Sequence, residues 1–130
     1  MKNLFSLLFV ITLSMFITAC SSNSPRNTAE KALDCLINED YRGYFDYVYF
    51  PDKDKEKKES FIQMVEEKSK KSQKDGNKIV GYKFKREQIN KEAGKAKVTF
   101  DITYNDGTVK ETVNDMILAE DGKWYLSMKK

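Results

Sequence analysis

The chain has 130 residues, 40% of them hydrophobic, with 23 basic and 20 acidic side chains, two cysteines and no histidine. That length supports one domain with one modest core. A near-balance of charge excludes a nucleic-acid binder, which needs a clustered basic surplus; the absence of histidine and the two lone cysteines leave no cluster to hold a metal, and no glycine-rich phosphate loop or cofactor motif is present.

The first element is an apolar run over residues 4–19, preceded by Lys2 and the chain's own amine. It is short for a spanning helix, which needs ~20 apolar residues, and has the charged start, apolar middle and small-residue exit of a secretory signal. The run stops on Ile17, Thr18, Ala19 and Cys20 and turns at once to the polar SSNSPRN. An aliphatic residue, two small residues and a cysteine resemble the bacterial lipobox. The resemblance implies that the Cys20 thiol carries a diacylglyceryl thioether, that a peptidase cuts before Cys20, and that residues 1–19 are a lipoprotein signal peptide. Two acyl chains then anchor the mature protein stably. The implied address is the cell envelope, on a bacterial membrane with the domain outside the cytoplasm; Ser21 is compatible with an outer membrane where the cell has one.

Cleavage there leaves 111 residues with 22 basic and 20 acidic side chains. Residues 20–27 read as the lipidated cysteine and a polar tether, and residues 28–130 as a single α+β domain. With Cys20 modified, Cys35 is the one remaining cysteine; no internal disulfide is available and the fold must stand on its core.

Two helix starts compete, Asn27 with Glu30 three residues on, and Ser24 before Pro25. Ala29, Ala32, Leu33, Leu36 and Ile37 then share a helical face, and the helix is predicted to end near Asn38. NEDYRGYF opens a shorter second helix with Tyr41, Tyr44, Phe45 and Val48 on one side, stopped by Pro51. Residues 52–78 hold nine Lys and seven acidic side chains around Phe61, Ile62 and Val65, a third amphipathic helix with a narrow buried stripe. Asp75, Gly76 and Asn77 supply its stop.

The period then changes to two. Val80, Tyr82 and Phe84 alternate with lysines, and Val98, Phe100, Ile102 and Tyr104 alternate with polar residues, as half-buried strands do. NDG and EDG, ending at Gly107 and Gly122, are hairpin turns. Between them Val109 and Val113 fall out of phase with Met116 and Leu118, which predicts a β-bulge near Asn114 and Asp115. The last strand is expected to turn Trp124, Leu126 and Met128 inward, with Trp124 against the first or third helix.

Three helices followed by about four antiparallel strands, with a closing DGKWYL hairpin, resemble the cone-shaped nuclear-transport-factor-2-like (cystatin-like) superfamily, and small bacterial lipoproteins of unknown function within it. A cystatin-type single helix on an antiparallel sheet is the competing fold. Enzymes of the superfamily work inside the cone with a carboxylate or histidine as base and a tyrosine or protonated acid as oxyanion donor. Here Asp46, Asp101 and Asp115 are the conceivable bases and Tyr44, Tyr47 and Tyr82 the conceivable donors or ligand contacts. The bland reading of those carboxylates is solvated or capping groups, and of the aromatic cluster over residues 41–50, bulk beneath the sheet. Cys35 reads as an inert buried thiol.

The favoured function is therefore a non-catalytic envelope lipoprotein that binds a small ligand or another envelope protein. An isomerase- or dehydratase-like enzyme and an inhibitor or immunity-type module are the alternatives.

Overall fold

The computed structural model describes residues 23–71 and 78–128. Cys20, the apolar run and the stop at residues 75–77 lie outside them. Helix α1 spans Pro25–Ile37, α2 Tyr41–Phe45 and, after a 3-10 turn at Asp52–Asp54, α3 Lys55–Lys71; strands β1 Ile79–Asn90, β2 Lys95–Tyr104, β3 Val109–Leu118 and β4 Trp124–Leu126 follow. The strands form one antiparallel sheet in the order β1-β2-β3-β4.

Of the two helix starts, the chain uses Ser24. Its hydroxyl accepts from the Asn27 N–H at 3.1 Å, and Pro25 fills the first helical position, where its missing N–H costs nothing. Asn23 is part of the fold as well. Its side-chain oxygen accepts from the Trp124 N–H, and its amide donates at 3.1 Å to the hydroxyl of buried Thr28. Asn23, within the segment expected as a tether, is thus bonded to β4 and α1.

The inner strand β2 has Ala96, Val98, Phe100 and Ile102 all buried on one face. Ala29, Ala32 and Leu33 of α1, Ile62 of α3, Phe45, Val48, Met116, Trp124 and Leu126 complete the core. Trp124 is buried on a strand that packs on α1, as its phase requires. Met128, by contrast, lies beyond the end of β4 and is half exposed.

The register corrects two expectations. The β2–β3 ladder runs unbroken from Lys95 opposite Ile117 to Thr103 opposite Val109, so there is no bulge at Asn114 and Asp115. Val109 and Val113 stay on the face away from the core, 57% and 49% exposed. The bulges are in β1 instead. Ile79 pairs with Tyr104 and Gly81 with Thr103, which leaves Val80 as an extra residue, 48% exposed, while Ile79 packs on the core. A second shift between Phe84 and Arg86 makes Lys85 the extra residue. There, Lys85 and Arg86 meet Glu111 at 3.0 and 2.7 Å on the outer face.

Candidate functional site

The connection from α1 to α3 is built by a tight sequence of local constraints. Asn38 caps α1, and Glu39 takes a left-handed conformation with φ 59°. The Asp40 carboxylate then accepts from the Gly43 N–H at 2.9 Å, capping α2. A Cβ at position 43 would collide with that carboxylate, so the cap in this geometry needs the glycine. After α2 the chain runs beside β4: Tyr49 N–H donates to the Leu126 carbonyl at 2.8 Å, and Leu126 N–H to the Tyr47 carbonyl at 2.7 Å. Val48 forms a parallel bridge to Leu126 and is buried.

This parallel pairing places Tyr49 next to Tyr125, with ring centroids 6.3 Å apart. Phe50 stands between Phe45 and Phe61, at 6.0 and 6.3 Å. The result is a cleft of about 820 Å³ whose walls include Tyr49, Phe50, Tyr125, Lys58, Asp46 and Asp121. Lys58 meets Asp46 at 3.4 Å. The Tyr125 hydroxyl donates to Asp121 at 2.6 Å; that bond raises the tyrosine's pKa and lowers the aspartate's. Aromatic faces beside a lysine and two carboxylates suit a polar organic ligand with apolar faces, such as a sugar or a zwitterion.

The expected ligand tyrosines are placed in three different surroundings. Tyr44 packs edge-on to Phe45, with centroids 5.3 Å apart, and burial pushes its pKa up. Tyr47 is half-buried in the segment that pairs with β4. Tyr82, on β1, donates its hydroxyl to Asp34 of α1 at 2.8 Å. Burial first, then that bond, pushes its pKa up to about 12. None of the three lines the cleft just described, nor the second cleft, about 630 Å³, beside Gln88, Lys97 and Asp115.

The conceivable bases are equally dispersed. Asp46 is exposed beside Lys58. Asp101 faces outward, 3.6 Å from Lys85. Asp115, opposite Lys97 in the register, is exposed on the outer face, because the ladder there has no bulge to turn it inward. Cys35 is half-buried; burial and then Asp40, Asp34 and Asp46 all raise its pKa, which disfavours the reactive thiolate. Among the described residues no group of three His, Cys, Asp or Glu is placed to hold a metal.

Sequence reasoning missed the pairing of Tyr49 with Tyr125. The helix expected to carry Val48 and run to Pro51 stops instead at Phe45, because the chain after it pairs with β4, and a parallel bridge between residues 78 apart has no local signature.

A family profile described as Domain of unknown function (DUF4878) matches residues 18–127. No curated protein matches the chain. Among solved structures, a crystal structure named "Putative NTF2-like transpeptidase" from Campylobacter jejuni is similar, with a TM-score of 0.60 and 19% identity over 82% of this chain and 99% of that one. At that identity the likeness carries the nuclear-transport-factor-2-like fold, helices followed by an open four-stranded antiparallel sheet, and nothing about chemistry.

Proposed function

The chain belongs to the DUF4878 family, a domain of unknown function, and from that premise we propose a bacterial envelope lipoprotein, anchored through Cys20, whose domain is a non-catalytic binding module. The observation that carries the reading is the apolar run ending on Ile17, Thr18, Ala19 and Cys20. A thiol at that one position, after two small residues and before a polar segment, has no use in an ordinary secretory signal but is the nucleophile that lipid transfer needs. Among the described residues no helix is long and apolar enough to cross a membrane. Residues 1–19 act as the signal peptide, and the domain sits outside the cytoplasm, on the outer membrane where the cell has one.

Three features support binding over catalysis. The carboxylates at positions 46, 101 and 115 lie apart from one another and are exposed or beside a lysine. The Tyr82 hydroxyl is already spent on Asp34. The similar Campylobacter jejuni protein is named for transpeptidation, yet the Cys35 thiol here is disfavoured as a thiolate by its own surroundings. The ligand contact passes from the dispersed Tyr44, Tyr47 and Tyr82 to the cleft of Tyr49 and Tyr125, which takes a small polar ligand or a side chain of another envelope protein. The test is Cys20→Ser in a bacterial host fed a labelled fatty acid. The wild type takes up label and fractionates with membranes; the variant takes up none and is left unprocessed or soluble. Label retained by the variant would contradict the anchor.

A further inference from the structure

We infer that the domain is held with one particular end against the lipid headgroups: the end formed by the β1–β2 turn, residues 91–94, and the β3–β4 turn, residues 119–123. The inference rests on lipidation of Cys20 and goes beyond it by orienting the domain.

Three peptide units separate Cys20 from Asn23, and a chain of that length reaches at most about 11 Å. Asn23 itself has no freedom to add length. Its side chain bonds the Trp124 backbone and Thr28, and two residues on, Pro25 is buried at the start of α1. Trp124 is the first residue of β4, directly after the β3–β4 turn. The β1–β2 turn is fastened to the same end, because the Leu118 N–H donates to the Gly94 carbonyl at 2.8 Å. The anchor therefore meets the fold where both turns project.

The turn between β2 and β3, residues 105–108, lies at the other end of β2. Ten strand residues separate the two ends, which at ~3.3 Å each is about 30 Å. A tether of about 11 Å at one end cannot let the domain invert, because the tethered end would then have to stand about 30 Å off the membrane. Charge does not oppose the placement. Lys91, Lys95 and Lys123 are exposed there, and so are Glu92, Glu120 and Asp121, so the balanced set is neither drawn strongly to nor repelled from an anionic surface. The short tether sets the orientation. The Tyr49–Tyr125 cleft, walled in part by Glu120 and Asp121, then opens beside the membrane, and the outward end with Asp106 and Gly107 is presented to the surroundings.

The test uses the full chain, processed in a bacterial host and reconstituted in phosphatidylcholine vesicles that contain a headgroup-nitroxide lipid. In a Cys35→Ser background, a fluorophore is attached to Glu92→Cys or to Asp106→Cys, and the intact mass reports whether Cys20 carries lipid. Several-fold stronger quenching at 92 than at 106 is expected. A flexible Gly/Ser insertion of about ten residues between Ser22 and Asn23 should bring the two close to equality. With Cys20 acylated, equal quenching without the insertion, stronger quenching at 106, or a ratio untouched by the insertion overturns the orientation and leaves the anchor standing. An unacylated Cys20 overturns both.

Discussion

Tyr82 ties β1 to α1 through one hydroxyl. The phenol donates to Asp34 at 2.8 Å, and its ring meets Phe100 edge-on at 5.5 Å. Burial and the bond to Asp34 raise its pKa from the usual 10 to about 12. The folded state favours the neutral phenol, so the contribution to stability is complete below about pH 10 and is lost as pH rises towards about 12. Tyr82→Phe should therefore be less stable than wild type at neutral pH, with the gap closing through that window. Tyr44 and Tyr125 shift in the same direction and remain in the variant, so the difference between the two denaturation series isolates Tyr82. A gap that stays constant up to pH 12 would mean that the phenol is neither buried nor bonded to Asp34 in the folded state.

At the scale of elements, α2 depends on the pairing of Asp40 with Gly43. In an ordinary helix interior Gly→Ala stabilises by ~1 kcal/mol. Here the added methyl must displace the Asp40 carboxylate, and losing an Asp cap costs about 0.5–2 kcal/mol. Gly43→Ala should be neutral or destabilising alone, and should stabilise by ~1 kcal/mol in an Asp40→Ala background. A gain of that size in both backgrounds would contradict the cap. The sequence made this element visible through the aromatic run, though not its end at Phe45, six residues before Pro51, and made α1, β2 and the order of all seven elements visible through their periods. Strand phase was legible only where one face was unmistakably apolar, as on β2. In β1 the bulges at Val80 and Lys85 shift the phase without leaving a compositional mark. In β3, Val109 and Val113 are apolar residues on the outer face, and alternation alone cannot say which face is the core. The tyrosines at 44, 47 and 82 illustrate the same limit. Each is placed by its own element, and only the long-range bridge of Val48 to Leu126 decides which aromatics share a cleft.

At the scale of the molecule, the sheet's inner face and α1 form one core that needs no disulfide, and the Trp124 N–H joins that core to Asn23. Two residues before Asn23 the sequence has only Ser21 and Ser22, then Cys20. The fold and the proposed anchor are thus nearly contiguous, which makes the N-terminus the point on which function and orientation both turn. The most direct measurement is the intact mass, with N-terminal fragmentation, of the protein extracted from bacterial membranes. The expected product is a chain that begins at Cys20 and carries a diacylglyceryl group on that residue. A chain that begins at Met1, or at any residue after Cys20, or a Cys20 with a free thiol, would contradict it.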